Sequence, residues 1–315
     1  MALLSVIVTI MNGATQPGRC LRALSSQTGA PPLEIIVPVF SKLDPVATLK
    51  HEWPAVRFIE IPDQPPPTHG FQHWKHDRRR AVGVASARGD LVALTDEYAI
   101  PPERWCAMIR ERHAASDAEV IGGALRLRTP KRINRAAFLC DFARFEPPFE
   151  PAETAFASLV NVSYKRSALE QCSHQWRDFF DETVVHDRIR RVGGRILLDP
   201  ELVVDYDHGE LFLVPLLRGK YESGRTFAGR RIQNAGSATR ISFAAGAGLL
   251  PAVLFGRKLG AAIASGERNR VAAFFAAAPL LAACLVAWSA GEFTGYVTGR
   301  AFPRDIPFQP MAIAA

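Results

Sequence analysis

Two adjacent carboxylates, Asp96 and Glu97, close an unbroken apolar run from Leu91 to Leu94. The run has the length and character of a strand buried on both faces, as in a parallel sheet. Pro101-Pro102 then stops the chain before a new helix near Glu103. Acids at the carboxyl end of such a strand sit where open α/β sheets bind ligands, although a solvated turn carries the same residues. Asp187, beside His186 in a helical pattern over 182–192, has Arg190 and Arg191 near it at helical spacing, as a surface ion pair would. His69, His73 and His76 share one face if helical. A metal there needs a further ligand; a pocket wall with Trp74 stacking on a ligand is the other reading.

These side chains need a frame to hold them. Strand-like runs at 3–10, 33–39 and 56–61 alternate with helical patterns at about 15–27, 44–52 and 71–88, the first capped by Thr15 and the second by Asp44. The alternation, with short links, predicts a parallel sheet with right-handed crossovers. Further strands are predicted at 118–127, as an edge strand because of Gly122-Gly123, at 157–164, and as two short runs at 196–198 and 202–204. The stretch 129–157, with Pro147, Pro148 and Pro151, reads as irregular.

The chain has 315 residues, 48% hydrophobic and 22% charged, with a formal net charge of +7. That balance suits anionic lipid, a phosphate-bearing ligand or nucleic acid. No basic run is interleaved with stacking aromatics, which argues against a nucleic-acid groove. The five cysteines are scattered without a C-x-x-C pair, so neither a disulfide framework nor a zinc knuckle is expected, and a reducing compartment is. The first ten residues lack a basic n-region and read as a strand, not a signal peptide. G-x-S-x-G, P-loop and G-x-G-x-x-G signatures are missing, which leaves hydrolase, kinase and dehydrogenase readings without support.

Residues 210–232 form a helical pattern with Arg218, Lys220, Arg225, Arg230 and Arg231 on a basic face. A helix lying at a membrane surface has this pattern, and so does a solvated helix packed on its own domain. Beyond it, 241–256 and 271–291 are almost free of charge. Val271–Gly291 has the roughly 20 apolar residues a span requires; 241–256 is short, contains Pro251, and reads as either a span or an interfacial helix. The expected organisation is a catalytic domain at 1–209, a basic interfacial helix and linker at 210–240, and membrane-associated helices at 241–315.

The ordered set Ser5-Val-Ile-Val-Thr-Ile-Met-Asn12, Glu34-Ile-Ile-Val37, Arg80-Ala-Val-Gly83, Ala87-Arg-Gly-Asp90 and Leu94-Thr-Asp-Glu-Tyr98, continuing through Asn161-Val-Ser-Tyr-Lys-Arg166, Phe180-Asp-Glu182, His186-Asp187, Gly194-Arg-Ile196, His208 and Arg218-x-x-Tyr221-x-x-Gly224-Arg225, resembles family 2 glycosyltransferases of the GT-A fold. The resemblance covers about residues 3 to 230, and the apolar tail is similar to that of membrane-anchored bacterial members. It implies an α/β fold, a GT-A-like mostly parallel sheet flanked by helices, followed by a C-terminal membrane-associated helical segment. It implies donor binding by Ile10, Asn12, Arg80, Thr95, Asp96, Arg218 and Arg225, and Asp187 as the base at the start of a helix.

Neutralising a leaving diphosphate takes a divalent cation or Arg/Lys. Asp96 matches the first acid of the family's Asp-x-Asp metal motif, but Tyr98 replaces the last, so a Mg or Mn site built from Asp96, Glu97 and His208 is thinner than usual. The acid that the family carries at the end of the second strand, to hold the nucleotide base, is also replaced, by Pro38-Val39-Phe40-Ser41. The implied activity is inverting transfer of a hexosyl group from a nucleotide-sugar donor to a lipid-linked or polysaccharide acceptor at the cytoplasmic face of the inner membrane, with membrane lipids as partners and no nucleic acid. A catalytically degenerate membrane scaffold or partner subunit in glycan assembly is the alternative.

Overall fold

The computed structural model of the protein describes residues 3–11, 17–62, 71–232 and 235–299, apart from the side chains of residues 71–74 and 230. Asn12, Thr15 and His69, and the side chains of His73 and Trp74, therefore lie outside the described residues. The chain divides into two compact units.

The first unit comprises Met1–Gln64, Lys75–Arg128 and Phe145–Asp207. Its elements are β1 (Leu4–Thr9), α1 (Pro17–Ser25), β2 (Leu33–Phe40), α2 (Val46–Glu52), β3 (Arg57–Ile61), α3 (Phe71–Ser86), β4 (Leu91–Asp96), β5 (Ala99–Ile100), α4 (Trp105–Ala115) and β6 (Val120–Leu127). After α5 (Arg132–Phe142), which clusters with the second unit, come β7 (Ala152–Glu153), β8 (Val162–Lys165), α6 (Arg166–Gln171), α7 (Ser173–Trp176), α8 (Glu182–Arg191) and β9 (Ile196–Tyr206). The sheet order is β3-β2-β1-β4-β8-β6-β9-β5, with β7 paired to β9. β1, β2, β3 and β4 pair in parallel, as the strand–helix alternation predicts. β8 is antiparallel to both β4 and β6, so the sheet as a whole is mixed. Buried side chains of β1, β2, β4, β6, β8, α3 and α8, among them Ile7, Ile36, Val84, Leu94, Tyr164 and Ile189, form one core.

β6 is an interior strand, not the expected edge. Its glycines serve close approach: a Cβ on Gly122 would lie 2.5 Å from Ala157 Cβ, and one on Gly123 would lie 2.1 Å from Leu202 O. The two short strands expected after α8 are one long strand, β9, parallel to β6 with a register shift at Gly123/Ala124. Buried Asn161 holds that irregularity. Its amide nitrogen donates to Ala124 O (2.9 Å) and Leu202 O (2.7 Å), and its oxygen accepts Trp105 Nε1–H (2.9 Å).

The second unit gathers α5, α9 (Leu213–Arg231), α10 (Ser237–Ala247), α11 (Leu250–Ala264) and α12 (Arg268–Thr298). α5 occupies part of the stretch read as irregular. α12 is long and apolar enough to cross a membrane; α10 and α11 meet that test only as a pair, bent by 58°. Glycines set the α9–α12 distance: a Cβ on Gly291 would lie 2.0 Å from Tyr221 O, and one on Gly224 would lie 2.1 Å from Trp288 O. Close backbone approach is what small residues at a helix interface provide. It also turns α9 away from the expected orientation. Lys220 and Arg225 are buried, while Phe212, Val214 and Phe227 are exposed. Lys220 pairs with Asp141 of α5 at 2.5 Å, and Lys258 of α11 donates to the last carbonyls of that helix, Leu139 O and Cys140 O. A buried cation survives where it is paired or hydrogen-bonded.

Gly291→Ala is expected to lower stability by about 1–3 kcal/mol, because the added methyl has no room to relax into. Gly246→Ala, on a helix with open space around it, is expected to hold or raise stability. Thermal unfolding midpoints of the two variants check both outcomes.

Candidate active site

Parallel strands β1 and β4 end side by side, with Thr9 in register with Asp96. The chain leaving both strands is stitched together by backbone and side chain. Glu97 N–H donates to Thr9 O (3.1 Å), and Glu97 Oε1 accepts Met11 N–H (3.0 Å). Asp96 points into the fold at 3% exposure. Its Oδ1 accepts Tyr98 N–H (3.0 Å) and its Oδ2 accepts the Tyr206 hydroxyl of β9 (3.3 Å). Burial pushes the Asp96 carboxyl up to about 6; those hydrogen bonds and the nearby Arg80 charge act against the rise without cancelling it. Tyr98, the departure from the acid motif, is buried and packs edge-on against Tyr206.

α3 supplies the cations. Arg79 is buried, with Nη1 donating to Ile10 O (2.9 Å) and Nη2 to both oxygens of Asp44 (3.0 and 2.8 Å). Asp44 also accepts Phe40 N–H (2.7 Å), and the Arg79 guanidinium lies over the Phe40 ring. Asp44 was expected to cap α2; its side chain makes no cap bond there and is committed to Arg79. One residue on, Arg80 donates to Asp77 (3.2 Å) and reaches Met11 Sδ (3.9 Å). His76 Nε2 lies 3.0 Å from Met11 O, which accepts its proton, so His76 belongs to this edge as a backbone anchor. Burial, and Arg79 after it, push the Lys75 ammonium down to about 8, while Asp44 and Glu97 pull the other way.

The other acid at this edge is Glu182. α8 begins there, with Asp181 as its N-cap accepting Thr183 N–H and Val184 N–H. Burial pushes the Glu182 carboxyl up to about 7, opposed by Arg80 and reinforced by Asp77 and Asp181. Arg80 therefore acts on both displaced acids, Asp96 and Glu182. Groups with displaced proton affinities gathered around one charge are what an acid–base site requires.

Several expectations change. Asp187 is not at the start of a helix: it lies in the second turn of α8, half-exposed, with Arg191 Nε donating to it at 2.6 Å. His186 beside it is buried, its Nε2 hydrogen-bonded to the Tyr164 hydroxyl. The buried face of α8 takes Val185, His186 and Ile189 inward, which leaves 187 facing out. Thr95 is buried and donates to Val160 O (2.9 Å), so its hydroxyl bonds the core. Ile10 contributes a carbonyl that Arg79 already holds. Arg218 and Arg225 are described with the second unit, Arg218 donating to Glu222 and Arg225 buried. Among the described residues, no three His, Cys, Asp or Glu side chains gather as metal ligands. Asp96 turns its oxygens to Tyr98 and Tyr206 and Glu97 its Oε1 to Met11, while His208 is described with the second unit. Arg79, Asp44, Asp77 and Glu182 escaped sequence reasoning; Asp44, four residues past β2, was the one with a signal, as an acid just beyond the strand end expected to carry one.

The chain is similar in structure to the mannosyltransferase PcManGT from Pyrobaculum calidifontis, solved in complex with GDP-Man and Mn2+. The TM-score is 0.56 at 17% identity, covering 92% of this chain and 86% of that one. The fold is shared with a solved glycosyltransferase. No protein-family model and no curated protein matches the chain.

Removing Asp44 leaves a buried guanidinium without its carboxylate. Asp44→Ala is expected to cost about 3–5 kcal/mol, read from denaturant unfolding. Asp96 works in the opposite direction. Its folded affinity for protons, at about 6, lies above the ordinary 3.8. The folded state therefore binds more protons than the unfolded one between those values, and stability falls as pH rises through that window. At about 1.4 kcal/mol per tenfold change in affinity, ionised Asp96 costs on the order of 3 kcal/mol at pH 7. Asp96→Asn is expected to raise the unfolding midpoint at pH 7 and to flatten its pH dependence between pH 4 and 6.

Proposed function

We propose that the protein is an inverting glycosyltransferase of family 2 and GT-A type. It moves a sugar from a nucleotide-sugar donor to a lipid-linked or glycan acceptor at the cytoplasmic face of a membrane. The observation that carries this reading is the buried carboxylate of Asp96 at the carboxyl end of β4, in register with the end of β1, with the Arg80 charge acting on it and on Glu182. That edge lies in a fold similar to a mannosyltransferase solved with GDP-Man and Mn2+. The basic balance, the apolar α12 and a lipid-phosphate acceptor are mutually consistent.

The reaction needs three things from the chain: charge to receive the leaving diphosphate, a base, and a closed edge. Arg80 and Lys75 supply positive charge in a low-dielectric site, where it is worth more than in water. A divalent cation, such as the Mn2+ of the structural neighbour, would be held by Asp96 and Glu97 and would share the charge of the diphosphate. The acceptor hydroxyl oxygen attacks the anomeric carbon, its proton passes to a carboxylate, and the bond to the diphosphate breaks with the electron pair leaving on phosphate oxygen. We assign the carboxylate to Glu182 in place of Asp187, since Glu182 heads α8 and the Arg80 charge acts on it. With its affinity near pH 7, Glu182 is suited to take a proton at neutral pH and is ionised above it.

A second reading has its own observation. Both oxygens of Asp96 and both of Asp44 are satisfied within the chain, as in a degenerate scaffold that no longer engages a donor. Thermal shifts with a panel of nucleotide sugars, with and without manganese, separate the two: a donor-specific shift supports the enzyme, and silence across the panel supports the scaffold. With a donor in hand, Glu182→Gln is expected to lower kcat by about 10²–10⁴ while donor binding persists, and Asp187→Asn to leave it near wild type. The wild-type rate is expected to rise with pH through about 7. The reverse pattern in the two variants returns the base to Asp187.

A further inference from the structure

α12 has the length and apolarity of a span, yet its surroundings are those of a helix lying flat. Its 31 residues cover about 46 Å. α10 and α11 run antiparallel beside it. Arg240 donates to Tyr296 O and Val297 O at one end, Ser289 to Ala247 O in between, and the Phe255 and Phe274 rings meet towards the other. α9 runs parallel to its second half, with Gly224 against Trp288, Tyr221 against Gly291 and Ala228 against Gly295. α5 packs on its first half through Ala136 and Leu139, beside Phe274 and Ala277.

What these neighbours leave uncovered is one stripe. Phe275, Pro279, Val286, Ala290, Phe293 and Val297 are exposed, and they lie within about 60° of one another on a helix turning about 100° per residue. The stripe bears no charge from end to end. α10, α11 and the link between them add exposed Ile241, Leu249, Val253 and Ile263. The cations sit at the ends: exposed Arg257 and Arg268, with exposed Glu267 beside them, at one, and exposed Arg231 and half-buried Arg240 at the other.

We propose that the second unit binds an anionic bilayer in its plane, with this stripe sunk into the acyl boundary and α12 parallel to the surface. The alternative of α12 crossing the bilayer fails on α9. α9 runs parallel to α12 with Gly224 against Trp288, which sets Lys220, one turn earlier, beside the middle of α12. A crossing α12 would therefore hold the Lys220–Asp141 pair, and the exposed Arg218 two residues before it, at mid-depth in a hydrocarbon layer about 30 Å thick. Charges there are costly. Laid flat, the apolar stripe enters by about 5–10 Å and the α9 charges stay in the aqueous or headgroup layer. A second copy of the chain is a poorer occupant. Because both ends of α12 are cationic, parallel and antiparallel pairing alike set arginine against arginine, whereas anionic headgroups neutralise them. The proposal deepens the membrane part of the preceding reading and is independent of the transfer chemistry.

Depth-dependent quenching tests it without any donor. Phe275→Cys, Val286→Cys and Phe293→Cys are made singly in the full chain over Cys140→Ser, the other four native cysteines being buried. Each is labelled with an environment-sensitive fluorophore and added to vesicles of equal parts phosphatidylcholine and phosphatidylglycerol carrying a doxyl quencher near the headgroup or near the chain end. All three labels are expected to be quenched alike, with the shallow quencher about twofold more effective than the deep one, as burial at the acyl boundary requires. Deep quenching of Val286 with shallow quenching of Phe275 and Phe293 identifies a crossing helix and overturns the proposal. Absence of quenching overturns it too, and a doubled mass by light scattering then names a second copy as the occupant. The unlabelled wild-type chain is expected to float with these vesicles and to be lost from pure phosphatidylcholine ones; flotation equal on both removes the anionic requirement.

Discussion

Arg79 and Asp44 form a buried two-point ion pair, and the geometry of the candidate site depends on it. The guanidinium holds the Ile10 carbonyl at the end of β1, and the carboxylate holds the Phe40 amide at the end of β2. One interaction thus joins two strand ends to α3 at the carboxyl edge of the parallel strands. A buried pair of this kind adds little net stability over apolar packing, but it is intolerant of losing one partner. Its value is positional. With Arg79 fixed, the next residue on the helix, Arg80, is carried to Met11, Asp77 and the acids beyond.

Around Arg80 the electrostatics have a consistent logic. Asp96 and Glu182 are both driven by burial towards the neutral form, and both are held back by the same guanidinium. Neither acid is arranged for stability, since an ionised carboxylate in either place opposes folding at neutral pH. Residues that the fold would be more stable without are the ones whose chemistry needs explaining. Tyr98 and Tyr206 close the same corner by packing against each other, and one of them gives Asp96 a hydrogen bond.

The second unit inverts the usual arrangement of a water-soluble domain. Lys220, Arg225 and Glu292 are buried, and Lys258 is turned onto backbone carbonyls, while Ile241, Leu249, Phe275 and Phe293 face outward. In water that distribution is unfavourable on both counts. At a bilayer surface it is the expected one, because the apolar stripe meets the acyl boundary while exposed Arg218, Arg231, Arg257 and Arg268 stay in the headgroup layer. The glycines at 224, 291 and 295 permit it by letting α9 lie close enough to α12 for cations on one helix to reach acids and carbonyls on its neighbours.

The amino-acid sequence by itself determined the elements and their order. Apolar runs of strand length alternating with helical patterns needed no tertiary information, and neither did the position of Asp96 at a buried strand end, because hydrophobic periodicity and Pro/Gly punctuation are local properties of the chain. Tertiary structure decided which charges meet. Asp44 and Arg79 are 35 residues apart, and nothing local distinguishes Arg79 from its neighbours in a run of three arginines. The start of α8 at Glu182 made Asp187 a residue of the second turn, and only packing of Val185, His186 and Ile189 on the core fixed which side faces out. Gly122-Gly123 looked like a weak edge until the partner backbones that fill the space of the missing Cβ atoms were known. α9 presents a basic helix to any reading of its periodicity, yet glycine contacts with α12, distant in the chain, rotated Lys220 and Arg225 inward. Composition is additive along a sequence; burial depends on which surface arrives from elsewhere in the fold.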